Sequence, residues 1–344
     1  MKKKIHIIYT GGTIGMKKLP EGYAPVAGHL SQELKKIEEL YSEQVPDFTL
    51  REFAPLLDSA NMNPSHWQEI ADEIGAKHEE YDGFVVLHGT DTMAYTASAL
   101  AFMLEGLQKT VIVTGSQIPL GEIRSDGRTN LLNSLLIAAD YRIPEVCVYF
   151  NDKLLRGCRT IKLDSESLDA FESPNYPPLG NVGIEIKINN ELLLKPRKHP
   201  LRVVGVNKTS IAAFRLFPGV TPEILENILR PPLQGLVLET YGRGNGPDQY
   251  PEILAVLKQA CTRGVVIVAT TQCLRGKASL GKYASGSALA KSGVVGGEDM
   301  TTEAALAKLN YLFSLKLSPE EIRKWIGSDI CGEITADSGS GLTG

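Results

Sequence analysis

Two short turns carry the hydroxyl groups with which this chain could do chemistry. The first, Tyr9-Thr10-Gly11-Gly12-Thr13-Ile14-Gly15, follows an apolar run of Ile5, Ile7 and Ile8. Gly11, Gly12 and Gly15 permit close approach of the backbone, so a small ligand can lie against main-chain N–H groups with Thr10 or Thr13 presented to it. The same residues also fit a first βα turn that binds nothing. Phosphate binding is disfavoured, because the spacing is neither G-x-G-x-x-G nor G-x-x-x-x-G-K-[ST]. The second turn, His88-Gly89-Thr90-Asp91-Thr92-Met93, again sets threonines beside a glycine after an apolar run.

A threonine hydroxyl attacks a carbonyl only when a base takes its proton. Tyr23 and Lys162 are the candidates for that task. Tyrosine and lysine both have reference pKa values near ~10, so each needs a perturbing neighbour to serve at neutral pH. Asp91 could hold and tune Lys162, or it could bind the ammonium of a substrate. Backbone N–H groups of the glycine turns could stabilise an oxyanion, at roughly 2.7–4 kcal/mol per donor.

The elements that must position these groups follow an α/β alternation. Gly83 to Leu87, Thr110 to Thr114 and Val146 to Phe150 are continuous apolar runs, as expected of parallel strands covered on both faces. Phe48 to Phe53 alternates and reads as a further strand. Asn63-Pro64 reads as N-cap and first position of a helix, with Trp67, Ile70, Ala71 and Ile74 on one face. Tyr95 to Leu107 and Asn130 to Ala139 are helical in pattern, Leu155 to Lys162 is β-like, and Tyr23 lies in a loop near Thr13 in sequence. Ligands of open α/β sheets gather at the carboxyl ends of strands, so the two turns are expected to share one crevice.

Periodicity fades between Lys187 and Asn207. The expected organisation is a domain over 1–190, a linker over 191–208, a second α/β domain over 209–337, and a mobile Ser/Gly-rich tail over 338–344. The second domain alternates a strand near Ser210 to Phe214, a helix opened by Thr221-Pro222, a strand from Gly235, a helix Pro251 to Thr262 and a strand Val265 to Thr270. Two helices close it, the last opened by the capping box Ser318-Pro319-Glu320-Glu321.

At 344 residues, 43% hydrophobic and 22% charged, the chain has the composition of an ordinary globular protein, and its net charge of −4 argues against a nucleic-acid binder. Lys2-Lys3-Lys4 imitates the start of a signal peptide, but the apolar run after it stops at Tyr9, too short for one. No stretch nears the ~20 apolar residues of a membrane span. Cys147, Cys158, Cys261, Cys273 and Cys331 are scattered and form no C-x-x-C pair, as expected of reduced thiols. Without H-E-x-x-H or a cysteine–histidine cluster no metal site is expected, and without G-x-S-x-G the α/β-hydrolase reading loses its support.

The two turns, in this order and at this spacing, resemble the paired signatures of the bacterial L-asparaginase family. The similarity extends from residue 5 to about 335 through Val113-Thr114-Gly115-Ser116-Gln117, Arg159-Thr160-Ile161-Lys162, Tyr241-Gly242-Arg243-Gly244-Asn245 and Thr271-Gln272-Cys273. The Thr-Gly-Ser-Gln form and the missing leader resemble the cytoplasmic type I branch.

The resemblance implies a larger N-terminal, mainly parallel doubly wound α/β domain and a smaller C-terminal α/β domain, assembled as a homodimer or a dimer of dimers. It implies hydrolysis of L-asparagine to L-aspartate and ammonia with no cofactor and no metal. The nucleophile matches Thr13, with Tyr23 assisting proton transfer, and a triad matches Thr90, Asp91 and Lys162. Asp58 and Ser59 match the segment that holds the α-carboxylate, Asp91 also meets the α-ammonium, Ser116 lines the amide end, and Asn245 matches a contribution to a neighbour's site. Some type I members also bind asparagine at a second site that matches Thr271 and Cys273. Its arginine position falls here on Glu239, and a carboxylate cannot grip the effector's carboxylate. Glutaminase or mixed activity is the nearest alternative, since one methylene is discriminated by only ~1–3 kcal/mol. A non-catalytic amino-acid-binding module is the alternative from another class.

Overall fold

The computed structural model describes residues 2–281 and 283–335. The tail expected over 338–344 lies outside the described residues. The chain divides into two compact units, Met1–Gly205 and Val206–Gly344. Residues 191–205, expected to be linker, belong with the first unit.

The first unit is built on an eight-stranded sheet. Its order is Ile186–Ile188, Gly180–Val182, Lys153–Arg156, Val146–Phe150, Thr110–Thr114, Gly83–Leu87, Lys4–Gly11 and Asp47–Leu57. The five strands from Val146–Phe150 to Asp47–Leu57 pair in parallel, and the rest pair antiparallel. Every residue of Gly83–Leu87, Thr110–Thr114 and Val146–Phe150 is buried, which is why these strands read as unbroken apolar runs. Helices Pro64–Lys77, Met93–Met103 and Gly127–Asp140 alternate with the parallel strands. The first begins where Asn63 accepts from the backbone of Ser65 and Pro64 occupies a position that needs no amide donor.

Three elements differ from the sequence expectation. The helix expected to reach Leu107 stops at Met103, because Leu104–Glu105 pairs as a strand with Arg202–Val203. Gly22–Pro25, expected as loop, forms a two-stranded hairpin with Met16–Leu19 that places Tyr23 half exposed. The β-like stretch Leu155 to Lys162 is broken by a 3₁₀ turn at Gly157–Arg159, after which Ile161–Lys162 pairs with Phe171–Glu172.

The second unit carries a parallel sheet ordered Ile211–Arg215, Gly235–Thr240, Val266–Thr271 and Val295–Gly296. Helices Pro222–Ile228, Pro251–Thr262 and Pro319–Ile326 each open on proline, and Ser318 and Glu321 form the expected capping box. Among the described residues, no helix is long and apolar enough to cross a membrane.

Candidate active site

The carboxyl ends of the parallel strands of the first unit converge. The strand ending at Gly11 is the sheet neighbour of both the strand ending at Leu57 and the strand ending at Leu87. The turns that follow touch backbone to backbone: a Cβ added at Gly12 would lie 2.4 Å from the Cα and the amide nitrogen of Gly89. Gly12 itself has φ +88°, where other residues are strained. Gly89 also meets Ser59, whose Oγ would lie 2.5 Å from a Cβ there. Thr13, Ser59 and Thr90 are thus gathered by contacts that admit no larger residue.

Thr13 starts a 3₁₀ turn, Thr13–Gly15, and is half-buried. The turn is anchored by the Gly12 amide donating to Leu57 O at 3.1 Å and the Leu120 amide donating to Ile14 O at 3.0 Å. Asp58 caps the 3₁₀ turn Ser59–Asn61 by accepting from the Ala60 amide at 3.0 Å, and Thr92 donates to Ser59 O at 2.8 Å. Ser59 is buried and Asp58 exposed.

The second turn is held from below by His88, which is fully buried. Its Nδ1 lies 2.7 Å from Gly89 O, a group that only accepts, so Nδ1 carries the proton. Nε2 therefore accepts from Thr96 Oγ1 at 2.9 Å, and Trp67 Nε1 donates to the same hydroxyl at 3.0 Å. Burial pushes the His88 pKa down to about 4, which keeps the imidazole neutral.

Above it the three triad residues meet. Lys162 Nζ donates to Thr90 Oγ1 at 2.9 Å and to Asp91 Oδ1 at 2.6 Å. Thr90 is buried, whereas the Asp91 side chain is 65% exposed and free to meet a ligand as well as the lysine. Thr90 donates in turn to Gln117 Oε1 at 3.0 Å. Ser116, beside it, is buried and donates to Ile118 O at 2.6 Å.

Tyr23 is not joined to Thr13 by a hydrogen bond. Its hydroxyl donates to Glu122 Oε1 at 3.0 Å, and this bond raises its pKa above the ordinary tyrosine value. His88, Gln117 and Glu122 are the residues of this cluster that sequence reasoning missed. His88 and Gln117 stand within the strand-end segments already singled out by their glycines and threonines, and that neighbourhood was the available signal, whereas Glu122 lies five residues beyond Gln117, outside those segments.

Asn245 lies in the second unit, where it bridges Tyr241 and its Oδ1 accepts from Ser285 Oγ at 2.9 Å. Glu239 is also there, with Arg215 at 3.9 Å. Its backbone carbonyl accepts from Gln272 Nε2 at 2.8 Å. Thr271 Oγ1 donates to Gly242 O at 2.6 Å and accepts from the amide of exposed Cys273 at 3.0 Å.

Two family models match the chain. Residues 4–194 match the asparaginase N-terminal family, and residues 210–326 match the glutaminase/asparaginase C-terminal domain. L-asparaginase 1 of Escherichia coli K12 is 50% identical over 336 residues, covering 98% of this chain and 99% of that one. The crystal structure of L-asparaginase I from Vibrio cholerae is similar at a TM-score of 0.91 with 48% identity, covering 98% of this chain and 100% of that one. The thermostable L-asparaginase from Thermococcus kodakarensis is similar at a TM-score of 0.88 with 35% identity, over 97% of this chain and 100% of that one. With both domain models matched in order and relatives aligned over nearly its whole length, this chain belongs to the asparaginase family.

Proposed function

We propose that this chain hydrolyses L-asparagine to L-aspartate and ammonia, with Thr13 as nucleophile and Thr90, Asp91 and Lys162 as the group that activates water. The observation that carries the reading is the lysine bonded at once to Thr90 at 2.9 Å and Asp91 at 2.6 Å, beside a glycine turn that touches the turn of Thr13. Family membership and the asparaginase names of the relatives supply the reaction class.

In the first step Thr13 Oγ1 forms a bond to the amide carbon and the C–N bond breaks. Ammonia leaves with the proton of the Thr13 hydroxyl, relayed by Tyr23, and an aspartyl ester remains on Thr13. In the second step water adds to the ester carbon and gives a proton to Thr90, whose own hydroxyl proton passes to Lys162 as Lys162 gives one of its protons to Asp91 Oδ1, to which it is already bonded at 2.6 Å. The ester C–O bond breaks, Thr13 Oγ1 takes a proton back, and aspartate is released. Ser59 and Asp58 hold the substrate α-carboxylate segment, Asp91 meets its α-ammonium, and Ser116 lines the amide end.

The proposed assembly is a homodimer or a dimer of dimers in the cytoplasm, in which Asn245 of one protomer completes the site of another. The second-site reading at Thr271 and Cys273 carries a specific handicap, because Glu239 presents a carboxylate to an effector that is itself a carboxylate.

Ammonia release measured across concentrations of L-asparagine and L-glutamine, with Thr13→Ala as control, tests the reading. Saturable turnover of asparagine that vanishes in the variant is expected. Well-folded protein that releases ammonia from neither amide would return the chain to the binding-module reading, and a higher kcat/KM for glutamine would make it a glutaminase.

A further inference from the structure

The side-chain amide of Gln117 has its orientation settled by its neighbours. Gln117 Nε2 donates to Ser165 O at 3.3 Å and to Ser167 O at 3.1 Å. Backbone carbonyls only accept, so the nitrogen must face them and Oε1 must face Thr90. The backbone of Gln117 is fastened too, since its amide donates to both carboxylate oxygens of Asp126 at 3.1 and 3.0 Å, and the Ile118 amide donates to Asp126 at 3.0 Å.

A consequence follows for Thr90. Its hydroxyl has one proton, and Gln117 Oε1 at 3.0 Å can only accept it. The lone pairs of Thr90 Oγ1 are then left for the Lys162 ammonium, which donates to it at 2.9 Å. The serines that orient Gln117 lie on the segment directly after Lys162, so one loop fixes both neighbours of the Thr90 hydroxyl.

We propose that Gln117 is the positioning residue of the water step: by accepting the Thr90 proton it fixes the orientation of that hydroxyl in the resting enzyme and thereby sets which way protons run through Thr90. This rests on the reading that Thr90 and Lys162 activate water for hydrolysis of the Thr13 ester. During that step the Thr90 proton leaves Gln117 Oε1 and passes to the Lys162 nitrogen as that nitrogen gives a proton to Asp91 Oδ1 at 2.6 Å, while Thr90 Oγ1 takes a proton from the attacking water. Gln117 loses one hydrogen bond and regains it when the cycle closes, and it makes no bond to substrate.

The experiment compares wild type with Gln117→Met and Gln117→Glu in ammonia release from L-asparagine over a range of pH, with circular dichroism to check the fold. Intact mass after rapid acid quench reports the aspartyl ester. Gln117→Met removes the acceptor. It is expected to lower kcat about fivefold to tenfold, the order of one lost neutral hydrogen bond, with KM changed less than about twofold. It is also expected to raise the acylated fraction, because the second step has slowed and the first has not. Gln117→Glu keeps an acceptor oxygen toward Thr90 and, like Gln117→Met, gives up both donations to Ser165 and Ser167, but it sets a carboxylate no more than about 6 Å from the lysine nitrogen, favouring the charged ammonium. It is expected to recover part of kcat at high pH and to move the acid limb of kcat upward.

A residue that only packed the loop would give equal losses in both variants, with no accumulated ester and no movement of the limb. That result, or wild-type kcat and pH profile in Gln117→Met, overturns the inference while leaving asparagine hydrolysis standing. Wild type that releases no ammonia overturns the reading beneath it and this inference with it.

Discussion

The Tyr23 hydroxyl donates to Glu122 across 3.0 Å, joining the exposed hairpin after the first turn to the loop after the strand Thr110–Thr114. A phenol that relays the proton of Thr13 to the leaving ammonia must part with its own proton on the way, and Glu122 is the acceptor in contact with it that can hold that proton in between. Tyr23→Phe is therefore expected to lower kcat by about a hundredfold or more, the range of a lost general base. Glu122→Gln should lower it about tenfold with KM nearly unchanged. Steady-state kinetics of the two variants decide this, and a Glu122→Gln enzyme with wild-type kcat would make the pair an anchor for the hairpin only.

Lys162 is bonded to Thr90 and Asp91 but lies on the proton path only if the proposed mechanism holds. Lys162→Met and Thr90→Ala are each expected to cut kcat by at least about a thousandfold while KM for asparagine moves less than about tenfold. A change confined to KM in Lys162→Met would make it a substrate-binding group.

The contact between Gly12 and Gly89 leaves no room for a side chain. Gly12→Ala would place a methyl 2.4 Å from the Gly89 backbone at a residue with φ +88°. The expected cost is about 1–3 kcal/mol of stability, with loss of turnover larger than that of stability because both threonine turns must shift. Thermal unfolding and ammonia release on the same preparation test this. Gly22→Ala, also at positive φ but with nothing within 4 Å, should leave turnover much closer to wild type.

His88 makes stability depend on pH in a stated direction. Its folded pKa of about 4 lies below the ordinary 6.5, because burial disfavours the charged ring. Between those values the unfolded chain binds a proton that the folded chain refuses. The contribution is present in full above pH 6.5 and is lost as pH falls toward 4, up to roughly 3 kcal/mol. Urea unfolding at pH 7 and pH 5 should show a larger loss for wild type than for His88→Gln. Equal losses would mean that the imidazole is protonated in the fold at little cost.

The central architecture was legible because burial on both faces leaves a direct mark in composition. Gly83–Leu87, Thr110–Thr114 and Val146–Phe150 can be apolar throughout only as interior strands, and Asn63-Pro64 and Ser318-Pro319 write helix starts into the residue types themselves. Elements that depend on partners far along the chain left no such mark. Leu104–Glu105 reads as the end of a helix until Arg202–Val203 pairs with it, and the hairpin around Tyr23 is too exposed to show an apolar pattern.

The same division runs through the site. By itself the sequence determined that hydroxyls stand beside glycines at two strand ends, because a strand-to-turn boundary is a local event set by neighbouring residues. Which of those hydroxyls meets which proton carrier was decided only by tertiary structure. Sheet order sets the strand of Thr13 beside the strand of Thr90, and a broken strand carries Lys162 back to Thr90. The loop beyond the lysine turns the amide of Gln117 so that its oxygen faces the threonine. Hydrogen-bond direction depends on atoms a few ångströms apart in space, and spacing along the chain does not encode it.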